Sequence, residues 1–182
     1  MKKRTRTADL VLCAVFAALS AALSPFSIPI GPVPITLTQI SIFLAAGLLG
    51  AKYGALSQVV FVALGAAGAP VFSGFSGGVG KLAGPTGGFI IGYIGCAFIA
   101  GLLIARFGQK MRILIPAMAA GMGFTYLLGS LWYMYVMQTG LLPTLLACVI
   151  PFLPGDAVKI ILCSFLVRKL APILRGELEK RA

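Results

Sequence analysis

The sequence predicts an all-α integral membrane protein with six transmembrane helices and both termini in the cytoplasm. Three observations carry that reading. The chain of 182 residues is 59% hydrophobic and only 10% charged, too little charged surface for a soluble domain of this length. Its apolar residues lie in continuous runs, not in the apolar–polar alternation of a membrane β-barrel. The 15 Lys and Arg residues, which give a formal net charge of +11, cluster at the ends of those runs, as cytoplasmic loops do. That distribution argues against a nucleic-acid partner and for a lipid bilayer.

The first span, 8–24, follows Lys2, Lys3, Arg4 and Arg6 and stops at Pro25. A basic start and an apolar stretch also fit a signal peptide. The run continues into several similar spans, however, so it is expected to be a retained helix. Residues 25–35, PFSIPIGPVPI, hold four prolines and exclude a helix. The second span covers 36–49, Gly50-Ala51-Lys52-Tyr53-Gly54 makes a turn, and the third covers 55–68. Residues 69–88 form a long loop rich in Gly, Ser and Pro, and long loops commonly serve function. The fourth span, 89–105, ends at a linker holding Arg106, Lys110 and Arg112, and the fifth covers 113–137. After Gly140 and Pro143, an apolar stretch over 141–153 leads to Pro154-Gly155-Asp156, where the sixth helix, 154–170, begins. All of 1–182 is expected to be one domain.

Orientation follows from the basic residues. With the N-terminus inside, positions 2, 3, 4, 6, 52, 106, 110, 112, 168, 169, 175, 180 and 181 face the cytoplasm, leaving of the 15 only Lys81 in an outer loop and Lys159 in the last helix. Five or seven spans put the basic tail outside and break the pattern. The Pro-rich loop, the Gly-rich loop and the stretch before Asp156 are then all extracellular.

Asp156 is the only acidic residue between Leu10 and Gly176. A charge at membrane depth costs roughly 2.5–3.5 kcal/mol on insertion scales. Lys159, three positions later, shares its helix face. One reading is an ordinary carboxylate favoured by the helix dipole, with Lys159 pairing it or snorkelling. The other has both groups facing a cavity, Lys159 meeting an anionic ligand and Asp156 accepting N–H bonds. From 155 to 170 the helix is about 24 Å long, shorter than a hydrocarbon core of roughly 30 Å, which places Asp156 just below the outer surface.

Several classes fall away. The chain has no His and no Asn, which excludes imidazole zinc sites, His-dependent triads and N-glycosylation. Cys13, Cys96, Cys148 and Cys163 lie scattered in apolar runs and read as buried, inert thiols. Gly77-Gly78-Val79-Gly80-Lys81 looks like a phosphate loop, but Leu82 follows and Phe75 stands where the first Gly belongs. Gly78-x-Gly80-x-x-Ala83 lacks the βαβ context of a dinucleotide fingerprint. These glycines read instead as an outer lid that can approach a ligand closely. No metal or cofactor is expected.

Other positions carry expectations of their own. Gly84-Pro85-Thr86-Gly87-Gly88 opens the fourth helix and offers free backbone N–H groups. Ala14, Ala18 and Ala22 give the first helix a smooth face, fit for internal packing or for docking another protein. Trp132, Tyr133 and Tyr135 read as an interfacial belt. Phe72 and Phe75, beside flexible glycines, can cover an apolar ligand.

Four segments in order, IPIGPVPITLTQI (28–40), GLLGAKYGALSQ (47–58), GAAGAPVFSGFSGGVGKLAGPTGGFIIGY (65–93) and PGDAVK (154–159), strongly resemble the BioY family. These are the biotin-binding S components of energy-coupling-factor (ECF) transporters. The resemblance spans essentially the whole chain, and the GPTGG segment with its preceding Gly-rich loop is specific to the family. It implies a six-helix S-component fold in a bacterial or archaeal-type cytoplasmic membrane. It also implies biotin as the transported ligand, and import driven by a transmembrane coupling subunit and two cytoplasmic ATPase subunits. Ala14, Ala18 and Ala22 then become the docking face for the coupling subunit. The resemblance carries ligand contact to Asp156 and Lys159, and the full candidate substrate-binding set is Asp156, Lys159, Gly84, Thr86, Gly87, Phe72, Phe75, Tyr93, Thr36 and Gln39. Biotin's ureido N–H groups suit Asp156 and its tail carboxylate suits Lys159. Because there is no Asn, any amide contact to the ureido ring has to come from Gln, or be replaced by Ser, Thr or backbone. The rival is a self-contained, ion-coupled small-molecule transporter with Asp156 as its proton site, which the lack of evident internal repeats disfavours. An enzyme is not expected, since one buried acid and no His assemble neither a dyad nor a triad.

Overall fold

A computed structural model describes residues 6–28, 31 and 33–180, with the side chains of all but 6, 175 and 177–180. Lys2, Lys3, Arg4, Pro29, Pro32 and Arg181, used above for orientation and loop character, lie outside the described residues, as do the side chains of Arg6, Arg175 and Lys180. Helices dominate: α1 (Arg6–Leu23), α2 (Thr38–Ala66), α3 (Val79–Ala83), α4 (Gly87–Phe107), α5 (Met111–Met137), α6 (Leu141–Cys148) and α7 (Leu153–Lys180). The Pro-rich segment closes as a small antiparallel hairpin, β1 (Ser27–Ile28) on β2 (Ile35–Thr36), pairing Ser27 with Thr36 and Ile28 with Ile35.

The second and third expected spans are one helical element broken at Gly50, whose φ of 79° and ψ of −172° suit glycine alone. The chain reverses there. The Ser20 hydroxyl reaches both Ser41 Oγ (2.9 Å) and Gln58 Oε1 (3.2 Å). Those two partners are 17 positions apart, about 25 Å along an unbroken helix, so the 38–49 and 51–66 arms lie side by side. A buried polar chain runs on from Gln58 Nε2 to Ser57 Oγ (3.1 Å) and from there to the Gly54 carbonyl (2.7 Å), while Ser41 donates to the Phe16 carbonyl (3.0 Å). These bonds fix the register of α1 against both arms where apolar contacts alone leave it free.

Phe43, Phe61, Phe72, Ile90, Met118 and Val167 meet in the main core between α2, α4, α5 and α7. Between α4 and α5, Gly92 lets the backbones approach, and Thr125 Oγ1 bonds the Gly92 carbonyl at 3.2 Å. Among the described residues, α4 and α5 are each long and apolar enough to cross a membrane, and α2 is so only when its two arms are counted together. The pair α6 and α7, bent by 51°, adds a fourth by length and composition, and 7–23 of α1 is a shorter apolar helix.

Three elements differ from the sequence expectation. The Gly-rich loop contains the short helix α3, and the apolar stretch before Asp156 contains α6. The last helix begins at Leu153 and continues through Pro172 to Lys180 instead of stopping near 170. A proline removes one backbone bond, and Pro172 is exposed, so its ring meets no neighbouring helix. The 24 Å length used to place Asp156 below the surface therefore does not hold.

Candidate functional site

Asp156 sits in the first turn of α7 and Lys159 one turn on, with only 3% and 9% of their surfaces exposed. Such burial is tolerable only if every charge finds partners. Lys159 Nζ donates to Asp156 Oδ1 (3.0 Å), to the Thr36 carbonyl (2.9 Å) and to Gln39 Oε1 (3.3 Å). All three ammonium protons are thus engaged. The other carboxylate oxygen of Asp156 accepts a short hydrogen bond from the Tyr126 hydroxyl of α5. Thr36 Oγ1 donates to Gln39 Oε1 at 3.3 Å. One polar chain therefore runs from α5 through α7 to the start of α2.

Two small cavities of about 20 Å³ each flank this chain. One touches Thr36, Phe72, Thr86 and Tyr93, and the other Gln39, Tyr93, Tyr126, Phe152 and Asp156. Val33, Pro34, Phe89 and Tyr93 line both. Each holds roughly one water, whereas small-molecule sites run to about 300–1,000 Å³. Val33 and Pro34 belong to the Pro-rich segment, so that segment forms part of the wall of both spaces. A larger cavity of about 390 Å³ lies at the opposite end, between Gly47, Gly50 and Gln109, with no charged residue in its wall.

The Pro-rich and Gly-rich segments clasp each other over the site. Gly74 N donates to the Pro25 carbonyl (3.1 Å), and the Phe26 and Phe75 rings meet edge to face at 5.7 Å. Inside the Gly-rich segment, Phe72 N bonds the Ser76 carbonyl (2.9 Å), and Gly78 N ties the segment to the Gly65 carbonyl at the end of α2 (2.7 Å). The GPTGG segment is fixed by Trp132, whose indole N–H donates to the Gly84 carbonyl at 3.0 Å. Gly87 packs so closely on the Leu82 carbonyl that a Cβ there collides with it.

Of the residues singled out in the sequence, Asp156, Lys159, Thr36 and Gln39 form the polar chain, and Phe72, Thr86 and Tyr93 stand against the cavities. Gly84 and Gly87 shape the segment that carries Thr86. Phe75 does not join them. It is 64% exposed, has a positive φ of 54°, and touches Phe26 on the outside of the clasp. Trp132 and Tyr133 are not a simple belt either: the first holds Gly84 and the second is buried beside Phe89, Cys148 and Phe152. Ala14, Ala18 and Ala22 all lie exposed on the outward face of α1. Tyr126 escaped the sequence reading. Its signal was a hydroxyl-bearing side chain on the helix face shared by Met122, Gly129 and Tyr133, all of them buried.

The chain is similar to known proteins over most of its length. The BioY family model matches residues 1–176. The biotin transporter BioY of Rhodobacter capsulatus is 38% identical over 180 residues, covering 90% of this chain and 93% of the relative. The biotin transporter BioY of Thermotoga maritima is 36% identical over 162 residues, covering 89% and 95%. The crystal structure of an S-component for biotin from an ECF-type ABC transporter superposes with a TM-score of 0.84 at 34% identity, covering 93% of this chain and 94% of that one.

Proposed function

The chain belongs to the BioY family, and we propose from that membership that it is the biotin-binding membrane subunit of an ECF transporter. It is a transport component, not an enzyme. Biotin is its cargo, and the energy comes from partners: a transmembrane coupling subunit and two cytoplasmic ATPase subunits. The reading places α1, the two arms of α2, α4, α5 and the α6–α7 pair as six crossings of the cytoplasmic membrane, with both termini inside. The outward Ala14, Ala18 and Ala22 face of α1 is the surface offered to the coupling subunit, because small residues let a partner helix approach closely.

The observation that carries this reading is the buried Asp156–Lys159 pair, satisfied on every side and flanked by two cavities under a clasped pair of loops. Asp156 accepts the ureido N–H groups and Lys159 takes the tail carboxylate. Because Lys159 has no spare proton, the ligand carboxylate displaces its longest contact, Gln39 Oε1 at 3.3 Å. The released Gln39 amide then supplies the polar group that an Asn-free chain otherwise lacks. Phe72 and Tyr93 wall the apolar bicycle, and Thr86 meets it from the start of α4.

Calorimetric titration of the purified protein with biotin tests the proposal. Absence of binding at micromolar ligand overturns it. Unchanged affinity in both Asp156→Asn and Lys159→Ala overturns the site assignment and leaves the ligand standing. Uptake by reconstituted vesicles should require the ATPase partners, and robust proton-driven uptake by the lone protein would favour the ion-coupled rival.

A further inference from the structure

At the end of the bundle opposite the polar chain, the last turns of α4 and the first turns of α5 splay apart around a groove of about 340 Å³. Its wall is Leu103, Phe107, Arg112, Ile113, Pro116 and Ala117. Pro116 has no N–H to give the Arg112 carbonyl, so the first turn of α5 is unlatched from the next. The chemistry of the groove is graded. Leu103 and Ala117 close its deep end, while Arg112 stands at its mouth, five residues or about 7.5 Å along the helix. The Arg106 guanidinium lies over the Phe107 ring at 5.7 Å, and Lys110 precedes α5 with its side chain exposed. Among the described residues none of these three cations has a carboxylate partner. In the opening turn of α5, Ile113 N and Leu114 N bond the Lys110 carbonyl (2.8 and 3.0 Å), which leaves the N–H groups of Met111 and Arg112 without a helical carbonyl.

We propose that this groove is a binding site for an anionic phospholipid, with the phosphate between Arg106 and Arg112 and one acyl chain laid along Leu103, Ile113 and Ala117. Guanidinium groups grip a phosphate through paired N–H bonds, and basic pockets between membrane helices are a recurring headgroup site. The apolar wall requires a chain as well as a charge, so a free phosphate satisfies only half of it. No residue of α1 lines the groove, so a coupling subunit seated on Ala14, Ala18 and Ala22 leaves it open to lipid.

Native mass spectrometry of the purified chain in detergent tests this, with phosphatidylglycerol and phosphatidylcholine of identical chains as probes. The expected result is preferential retention of phosphatidylglycerol, not displaced by glycerophosphate. Arg106→Gln and Arg112→Gln should each lower retention about five-fold, since a cation at an anionic surface contributes about 1 kcal/mol. Ala117→Phe, which fills the deep end, should reduce binding of both lipids while biotin titration confirms an intact fold. Equal retention of the two lipids, displacement by glycerophosphate, or retention unchanged in all these variants overturns the site. Loss of the lipid on assembly with the coupling subunit and ATPases also overturns it, because the groove then belongs to a protein partner.

Discussion

Tyr126 determines how Asp156 presents its carboxylate, and removing one oxygen atom isolates that role. In Tyr126→Phe the ring still fills its place, but Asp156 Oδ2 loses its donor. Polar bonds within membranes average about 0.6 kcal/mol, while bonds to charged groups in proteins run to roughly 2 kcal/mol. Biotin affinity should therefore fall about three- to thirty-fold by calorimetry. An unchanged affinity would mean that Lys159 alone orients the carboxylate. At this scale the sequence was legible wherever a residue was chemically out of place. Asp156 and Lys159 stood out because charge inside an apolar run is costly. Tyr126 did not, since a tyrosine in a 27-residue apolar helix looks like any other amphipathic side chain until its hydroxyl is seen to have a partner. Phe75 shows the converse: proximity to glycines made it a plausible lid, yet the loop directs Phe72 inward and Phe75 out.

Among the elements, the broken helix α2 carries the sharpest test. The two arms pack side by side only if Gly50 keeps φ at 79°, a conformation that costs an L-residue about 1–3 kcal/mol. Gly50→Ala should lower the thermal midpoint in detergent, whereas Gly80→Ala, whose Cβ meets nothing within 4 Å, should leave it unchanged. Equal midpoints for the two variants would show that the turn tolerates a side chain. The helix ends before Pro25 and at the basic 106–112 linker were readable from sequence. The short helices α3 and α6 were not, because five and eight residues give too little periodicity to separate them from loop. The run of α7 past Pro172 was hidden for a different reason: a proline on an exposed face bends the local rule without ending the helix.

For the molecule as a whole, the proposed orientation puts Lys52 inside and Gln138 outside. All four cysteines are buried, so single introduced thiols report without interference. Lys52 and Gln138 are exposed at opposite ends of the bundle. A membrane-impermeant maleimide should label Gln138→Cys in intact cells and Lys52→Cys only after permeabilisation. The reverse pattern would invert the topology read from the charges. That topology is expected from the charges alone, because the cost of moving Lys and Arg across a bilayer is written along the whole sequence. The clasp between the Pro-rich and Gly-rich segments was invisible to the same reading. It joins Pro25 to Gly74 and Phe26 to Phe75, pairs distant in sequence that no local pattern connects.

The bond from Trp132 to the Gly84 carbonyl has an optical consequence. Trp132 is the only tryptophan in the chain, and its indole is tethered to the loop that borders the proposed ligand site. The protein thus carries a built-in fluorophore whose emission depends on that tether. Biotin should shift the emission as Gly84 moves, in step with the calorimetric isotherm, and Trp132→Phe should darken the signal without abolishing binding. Stopped-flow emission would then time the parting and closing of the outer segments in unlabelled protein.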